Sequence, residues 1–119
     1  MASGTSWTVE GTSPGTDGYR IHRSLERGDV RWNLRTSKWL AKHFDRTLFN
    51  QRRVAQMIWE HVKAGGRIRG QHNTPGEEYD VWFYVEMNLD GEVRFIKFVI
   101  EPDDDDNPGV LIVSAHPPQ

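Results

Sequence analysis

Apolar residues recur along this chain with two different periods, helical in the first half and alternating in the second. Ile21 and Leu25 stand four apart ahead of Gly28, a residue suited to ending a helix. A second helical stretch begins near Thr36 or Ser37, either of which can cap it. It places Trp39, Leu40, His43 and Phe44 on one side and Lys38, Lys42, Asp45 and Arg46 on the other. The third helix has the clearest pattern. Asn50 is a natural N-cap, Val54, Met57, Ile58, His61 and Val62 form one stripe, and Gly65-Gly66 ends it.

After Gly66 the period changes to two. Arg67-Ile68-Arg69 reads as a short strand, followed by a loop through Asn73-Thr74-Pro75-Gly76. Tyr79, Val81, Phe83, Val85 and Met87 alternate with Asp80, Trp82, Tyr84 and Glu86, and Asp90-Gly91 is a hairpin signal leading into a strand over 93–100. An acidic loop, Glu101–Pro108, precedes Val110–His116, whose residues are apolar on both parities until Ser114, as suits an interior strand. The expected fold is α+β, with about three N-terminal helices packed on a four-stranded, mostly antiparallel sheet. Residues 1–18, rich in Gly, Ser and Thr, read as a flexible lead-in in which Trp7 and Val9 offer a short edge strand; residues 19–119 form a single domain.

Composition narrows the chemistry. Five Trp, five Phe and three Tyr in 119 residues supply a large apolar area for a chain of this length. The absence of Cys excludes a disulfide framework, a Cys-ligated metal and a thiol nucleophile. No apolar run exceeds about five residues, so neither a transmembrane helix nor a signal-peptide core is expected.

The net charge of −2 argues at first against a polyanionic partner, but the charges are segregated. Residues 20–70 carry thirteen basic and four acidic residues, whereas residues 71–119 carry two basic and eleven acidic ones. Arg20, Arg23, Arg27, Arg31 and Arg35 recur every three or four residues among Trp32, Trp39, Phe44, Phe49 and Trp59. Such a stripe can hold phosphate while aromatics stack on unpaired bases; it is also what a solvated helical face over a core looks like.

Ser114 and His116, two apart at the end of a strand, share a face, with Leu111, Val113 and Ala115 expected on the other. A hydroxyl and an imidazole so placed suit binding and protonating a phosphate, while polar residues ahead of Pro117-Pro118 also mark a plain exit from the core. His22 stands one turn from Glu26, which can tune it, and His43 one turn from Arg46. Imidazoles beside cations are what RNA cleavage by its own 2′-hydroxyl requires; ordinary helix histidines fit both positions as well. His61 falls on the apolar stripe and His72 in a loop. The five His show no i, i+4 pair, and Asp103–Asp106 lacks the Gly and Glu spacing of a calcium loop, so neither metal nor cofactor is expected.

Several of these residues together resemble bacterial ribonuclease toxin domains. They are the His- and Arg-rich helical part, the segment Arg46-Thr47-Leu48-Phe49-Asn50, and the closing strand Gly109-Val110-Leu111-Ile112-Val113-Ser114-Ala115-His116-Pro117. The order of helices then sheet is similar to the superfamily of barnase, colicin nucleases and RelE. The final strand, with a His ahead of a Thr-x-Phe segment, is also similar to the ribonuclease A-like toxins of contact-dependent inhibition. The resemblance implies His22 as acid or base, His43 as its competitor, Ser114 as phosphate ligand, and His116 where a Tyr is more usual. Arg31 or Arg35 becomes the phosphate cation, with Arg69 a further substrate-binding cation. It also implies metal-free cleavage of RNA in the cytoplasm, delivery in a secreted effector as one route there, and a cognate immunity or antitoxin protein. The competing reading is a non-enzymatic interaction module, an immunity protein, antitoxin or adaptor, that uses the acidic 101–108 loop.

Overall fold

Helix α1 (Asp17–Arg27) is closed at both ends by side chains and backbone of its own neighbourhood. Thr16 Oγ1 accepts the Tyr19 N–H at 3.2 Å, and Gly28, at φ 74°, donates its N–H back to the carbonyls of Leu25 and Ser24. Helix α3 (Gln51–Lys63) starts in the same way, with the Asn50 side chain accepting the Arg53 N–H at 2.9 Å. Ile21 and Leu25 of α1 and Val54, Ala55 and Ile58 of α3 are the buried stripes of these two helices. The computed structural model describes residues 5–43, 50–89, 91–101 and 106–116, apart from the side chains at 39–41, 43, 92 and 116.

Among the described residues six strands build one mixed sheet: β1 (Thr5–Thr8), β2 (Val30–Trp32), β3 (Arg69–His72), β4 (Val81–Leu89), β5 (Glu92–Ile100) and β6 (Val110–His116). Their order is β1-β3-β4-β5-β6-β2, antiparallel throughout except for β2, which runs parallel to β6. Leu89 pairs with Glu92, so the β4–β5 connection is the two-residue turn that Asp-Gly predicts; Gly91 takes φ 88°, while Asp90 lies outside the described residues. Phe83, Val85 and Met87 of β4, Ile96 and Phe98 of β5, and Val110, Ile112 and Ala115 of β6 form one core with the stripes of α1 and α3. The other parity, including Trp82, Tyr84, Lys97 and Ser114, faces away from these two helices.

The expected four-stranded sheet beneath three N-terminal helices is therefore corrected. The fold is α+β, but the sheet has six strands, and strands and helices are interleaved, with β1 before α1 and β2 between α1 and helix α2 (Leu34–His43). The two additional strands are edge strands of four and three residues, too short to show a period of two. Residues 5–8 of the lead-in belong to the sheet because Trp7 seats its ring on Phe83, edge to face at 6.2 Å. Gly70 opposite makes room for that ring: a Cβ there would come within 2.4 Å of the indole. β2 exists because Gly28 stops α1 and Ser24, fully buried, ties the exit together. Its hydroxyl donates to Asp29 O at 2.6 Å and accepts the Val110 N–H at 2.9 Å.

Candidate functional site

The register between β5 and β6 steps from Phe98–Ile112 to Lys97–Ser114, which makes Val113 the extra residue of a β-bulge. This shifts the parity predicted for the last strand. Leu111 and Ser114 pair with Val99 and Lys97, on the side away from α1 and α3, and Ala115 returns to the core opposite Ile96. Three groups from the start of α2 secure the bulged backbone. The Asn33 N–H donates to Ile112 O at 3.2 Å, Asn33 Nδ2 donates to Val113 O at 3.4 Å, and the buried Thr36 hydroxyl donates to Ile112 O at 3.4 Å. Asn33 also caps α2, accepting the Thr36 N–H at 2.9 Å. The helix start is thereby held beside Ser114.

A cleft of about 400 Å³ opens there, lined by Asn33, Leu34 and Arg35 of the helix start, Val113 and Ser114 of β6, Lys97 of β5, and Glu77, Glu78 and Tyr79 of the preceding loop. That loop is folded onto the sheet by its own bonds. Asn73, in the left-handed region at φ 57°, donates its N–H to Asp80 O, and Thr74 accepts both the Glu77 N–H and the Trp82 indole N–H. The Thr74 carbonyl takes the former bond and its hydroxyl oxygen the latter, at 3.2 Å each.

Lys97 is the electrostatic centre of the cleft. Its ammonium donates to Glu77 Oε2, and both side chains are largely covered, at 18% and 15% exposure. The same ammonium lies 4.6 Å from the centre of the Trp82 ring. Burial pushes the Glu77 carboxyl up, but the hydrogen bond and charge of Lys97, with the N–H groups of Tyr79 and Glu78, outweigh it and hold the group below the usual carboxylate range. The Tyr79 phenol moves the opposite way, raised by burial and then by Glu78, Glu101 and Glu77. At neutral pH the cleft therefore offers an ionised carboxylate, a protonated phenol, a hydroxyl and the cations of Lys97 and Arg35.

Of the residues singled out from sequence, Ser114 and Arg35 meet in this cleft. Arg69 lies on the same side of the sheet, beside Tyr84 in register, where Thr8 Oγ1 accepts from its guanidinium at 2.9 Å. Arg31 is on the edge strand β2 and donates to Glu101 O. His22 is on the other side of the sheet, packed edge to face on Trp59 with ring centres 5.4 Å apart. Burial lowers its pKa, partly offset by Glu26. His43 ends α2 and His116 ends β6 opposite Phe95, but both side chains lie outside the described residues. The described ends of the acidic loop fold back on the chain's basic half: Arg27 donates to Asn107 Oδ1 at 3.1 Å and Arg31 holds Glu101.

Lys97, Glu77 and Tyr79 were not candidates on sequence grounds. Lys97 left one trace, as one of only two basic residues in the acidic half. Glu77 left none, since a Gly-Glu-Glu loop is ordinary. Among the described residues no His, Asp or Glu cluster is arranged to hold a metal ion, and no helix is long and apolar enough to cross a membrane. Compared with protein-family models, curated proteins and solved structures, the chain matches none.

Proposed function

We propose that the chain is an endoribonuclease that cleaves RNA by general acid–base catalysis in the cleft between β6, β5 and the start of α2. The observation that carries this reading is the convergence of Ser114 and Arg35 with Lys97, Glu77 and Tyr79 around one opening on the side of the sheet away from α1 and α3. Cleavage needs a proton acceptor, a proton donor and positive charge at one phosphate, and this cleft supplies each.

In the proposed reaction Glu77, ionised and close to Lys97, takes the proton of the RNA 2′-hydroxyl. The 2′-oxygen attacks the adjacent phosphorus, and the bond to the 5′-oxygen of the next nucleotide breaks. That oxygen leaves with a proton from Tyr79, and a 2′,3′-cyclic phosphate remains. Arg35 and Lys97 meet the charge that grows on the phosphoryl oxygens, and the Ser114 hydroxyl donates to one of them. His116, two residues along the strand from Ser114, is the alternative acid or base. If the activity is that of a toxin, an immunity or antitoxin protein that covers this cleft is its partner.

Purified protein incubated with total RNA in EDTA tests the reading. Fragments ending in 2′,3′-cyclic phosphate are expected. RNA left intact by micromolar protein overturns the activity, and undiminished cleavage by both Glu77→Gln and His116→Ala overturns the mechanism.

A further inference from the structure

Lys97, in the lining of the cleft, also lies against a row of aromatic rings that the chemistry of the cleft does not use. Trp82 and Tyr84, two apart on β4, have ring centres 5.7 Å apart, and Tyr84 stacks on Phe95 of β5 with centres 4.5 Å apart and planes 20° from parallel. All three are half-buried and stand on the side of the sheet turned away from α1 and α3. Large aromatics on that side contribute nothing to the core cluster, whose rings are Phe83 and Phe98 on the other face. Cations flank the row. Lys97 lies over Trp82 and also lines the cleft, and Arg69 stands beside Tyr84 in register, its guanidinium held by the hydroxyls of Thr8 and Ser6. Glu86, opposite Phe95, marks the far end of the row.

From this continuity of rings and cations we infer that the Trp82–Tyr84–Phe95 row is the docking surface for unpaired bases of single-stranded RNA, next to the phosphate held in the cleft. This deepens the ribonuclease reading and rests on it for the placement of that phosphate. Stacking requires the face of a base, which a duplex hides between its neighbours, whereas an unpaired base offers it to any aromatic platform. Arg69 and Lys97 lie where the sugar–phosphate backbone of such a strand would run, and Arg35 holds the phosphate at the cleft end. The surface thus selects single strands with little preference for sequence.

The test uses a short, fluorescently labelled 2′-O-methyl oligonucleotide, which cannot be cut, titrated with the full chain and followed by anisotropy. The single strand is expected to bind at least tenfold more tightly than a duplex of the same sequence. Tyr84→Leu and Phe95→Leu, which keep apolar bulk in the sheet, are each expected to weaken single-strand binding about tenfold, whereas Tyr84→Phe retains it. In the unmodified protein the oligonucleotide is expected to quench tryptophan fluorescence, and Trp82→Phe to remove most of that quenching. Equal affinity for single strand and duplex, wild-type affinity in both Leu variants, or quenching unchanged in Trp82→Phe overturns the inference. Because the probe cannot be cleaved, ring-dependent binding with no cleavage of ordinary RNA would sink only the catalytic reading. Cleavage with ring-independent binding would sink only this one.

Discussion

Lys97 joins two neighbours of different character, donating to the carboxylate of Glu77 while lying 4.6 Å from the centre of the Trp82 ring. One side chain therefore sets the charge of the cleft and anchors the aromatic row beside it. Replacing Lys97 with Met keeps most of the stem's packing but leaves the largely covered Glu77 without its cation. The expected cost is about 1–3 kcal/mol in urea unfolding, together with loss of the proposed RNA cleavage. Wild-type stability in this variant would show that the pair contributes nothing to folding.

The same pair predicts an acid limb in stability. The folded-state pKa of Glu77 lies below its ordinary value of about 4.5, so its contribution is fully present above that value and is lost as pH falls through the folded pKa. Unfolding at pH 7 and at pH 3 should therefore differ less in Glu77→Gln than in the wild type. An unchanged difference would remove Glu77 from the acid response.

Gly70→Ala tests what holds the first strand. The new methyl group would stand 2.4 Å from the Trp7 ring and must push it off Phe83, at an expected cost of about 1–3 kcal/mol. Trp7→Ala should cost stability as well, and the double variant should cost clearly less than the sum, because the clash has gone. Additive effects in the cycle would mean that the ring and the glycine act independently.

The end of α1, the start of α3 and the main hairpin are legible in the sequence because each rests on residues next to one another in the chain; the start of α2 is not, since Asn33 caps it and Thr36, the expected cap, lies inside the helix and bonds to β6. Gly28, Asn50 and Gly91 stand where their types predict, and the strand through Phe83, Val85 and Met87 buries those residues as its alternation requires. What was not legible depends on distant partners. β2 is three residues long and exists through pairing with β6, about eighty residues away, and the bulge at Val113 follows from that strand's place between β5 and the start of α2. The site divides along the same line. Ser114 and Arg35 were visible as residue types in a pattern, whereas Glu77 and Tyr79 enter the cleft only because a loop folds over the sheet. His22, conspicuous among arginines, is carried behind the sheet by the helix stripe that buries Ile21 and Leu25.

Ser24 offers a test of the exit from α1 that is independent of catalysis. Its hydroxyl bridges Asp29 O and the Val110 N–H in a fully buried position, so Ser24→Ala leaves that N–H with only its longer bond to Asp29 O, at 3.3 Å, at a cost of about 1 kcal/mol. Ser24→Cys, of similar size but weaker in hydrogen bonding, should fall between the two. A neutral Ser24→Ala would mean that Asp29 O alone satisfies the Val110 N–H.

His22 separates the sequence-based expectation from the proposed site. On the sequence alone it is a candidate acid or base, yet its ring packs on Trp59 across the sheet from Ser114 and Lys97. His22→Phe keeps a ring against Trp59 and should leave RNA cleavage within about twofold of wild type, while Glu77→Gln abolishes most of it. Burial holds His22 below its ordinary pKa of about 6.5, so the unfolded chain takes up the proton more readily and stability should fall as pH drops through that value. His22→Phe should remove this loss between pH 7 and pH 5, which urea unfolding at the two pH values measures. If the variant instead abolishes cleavage while its stability matches the wild type, the catalytic centre lies on the helix side of the sheet and the cleft at Ser114 is not the site of the reaction.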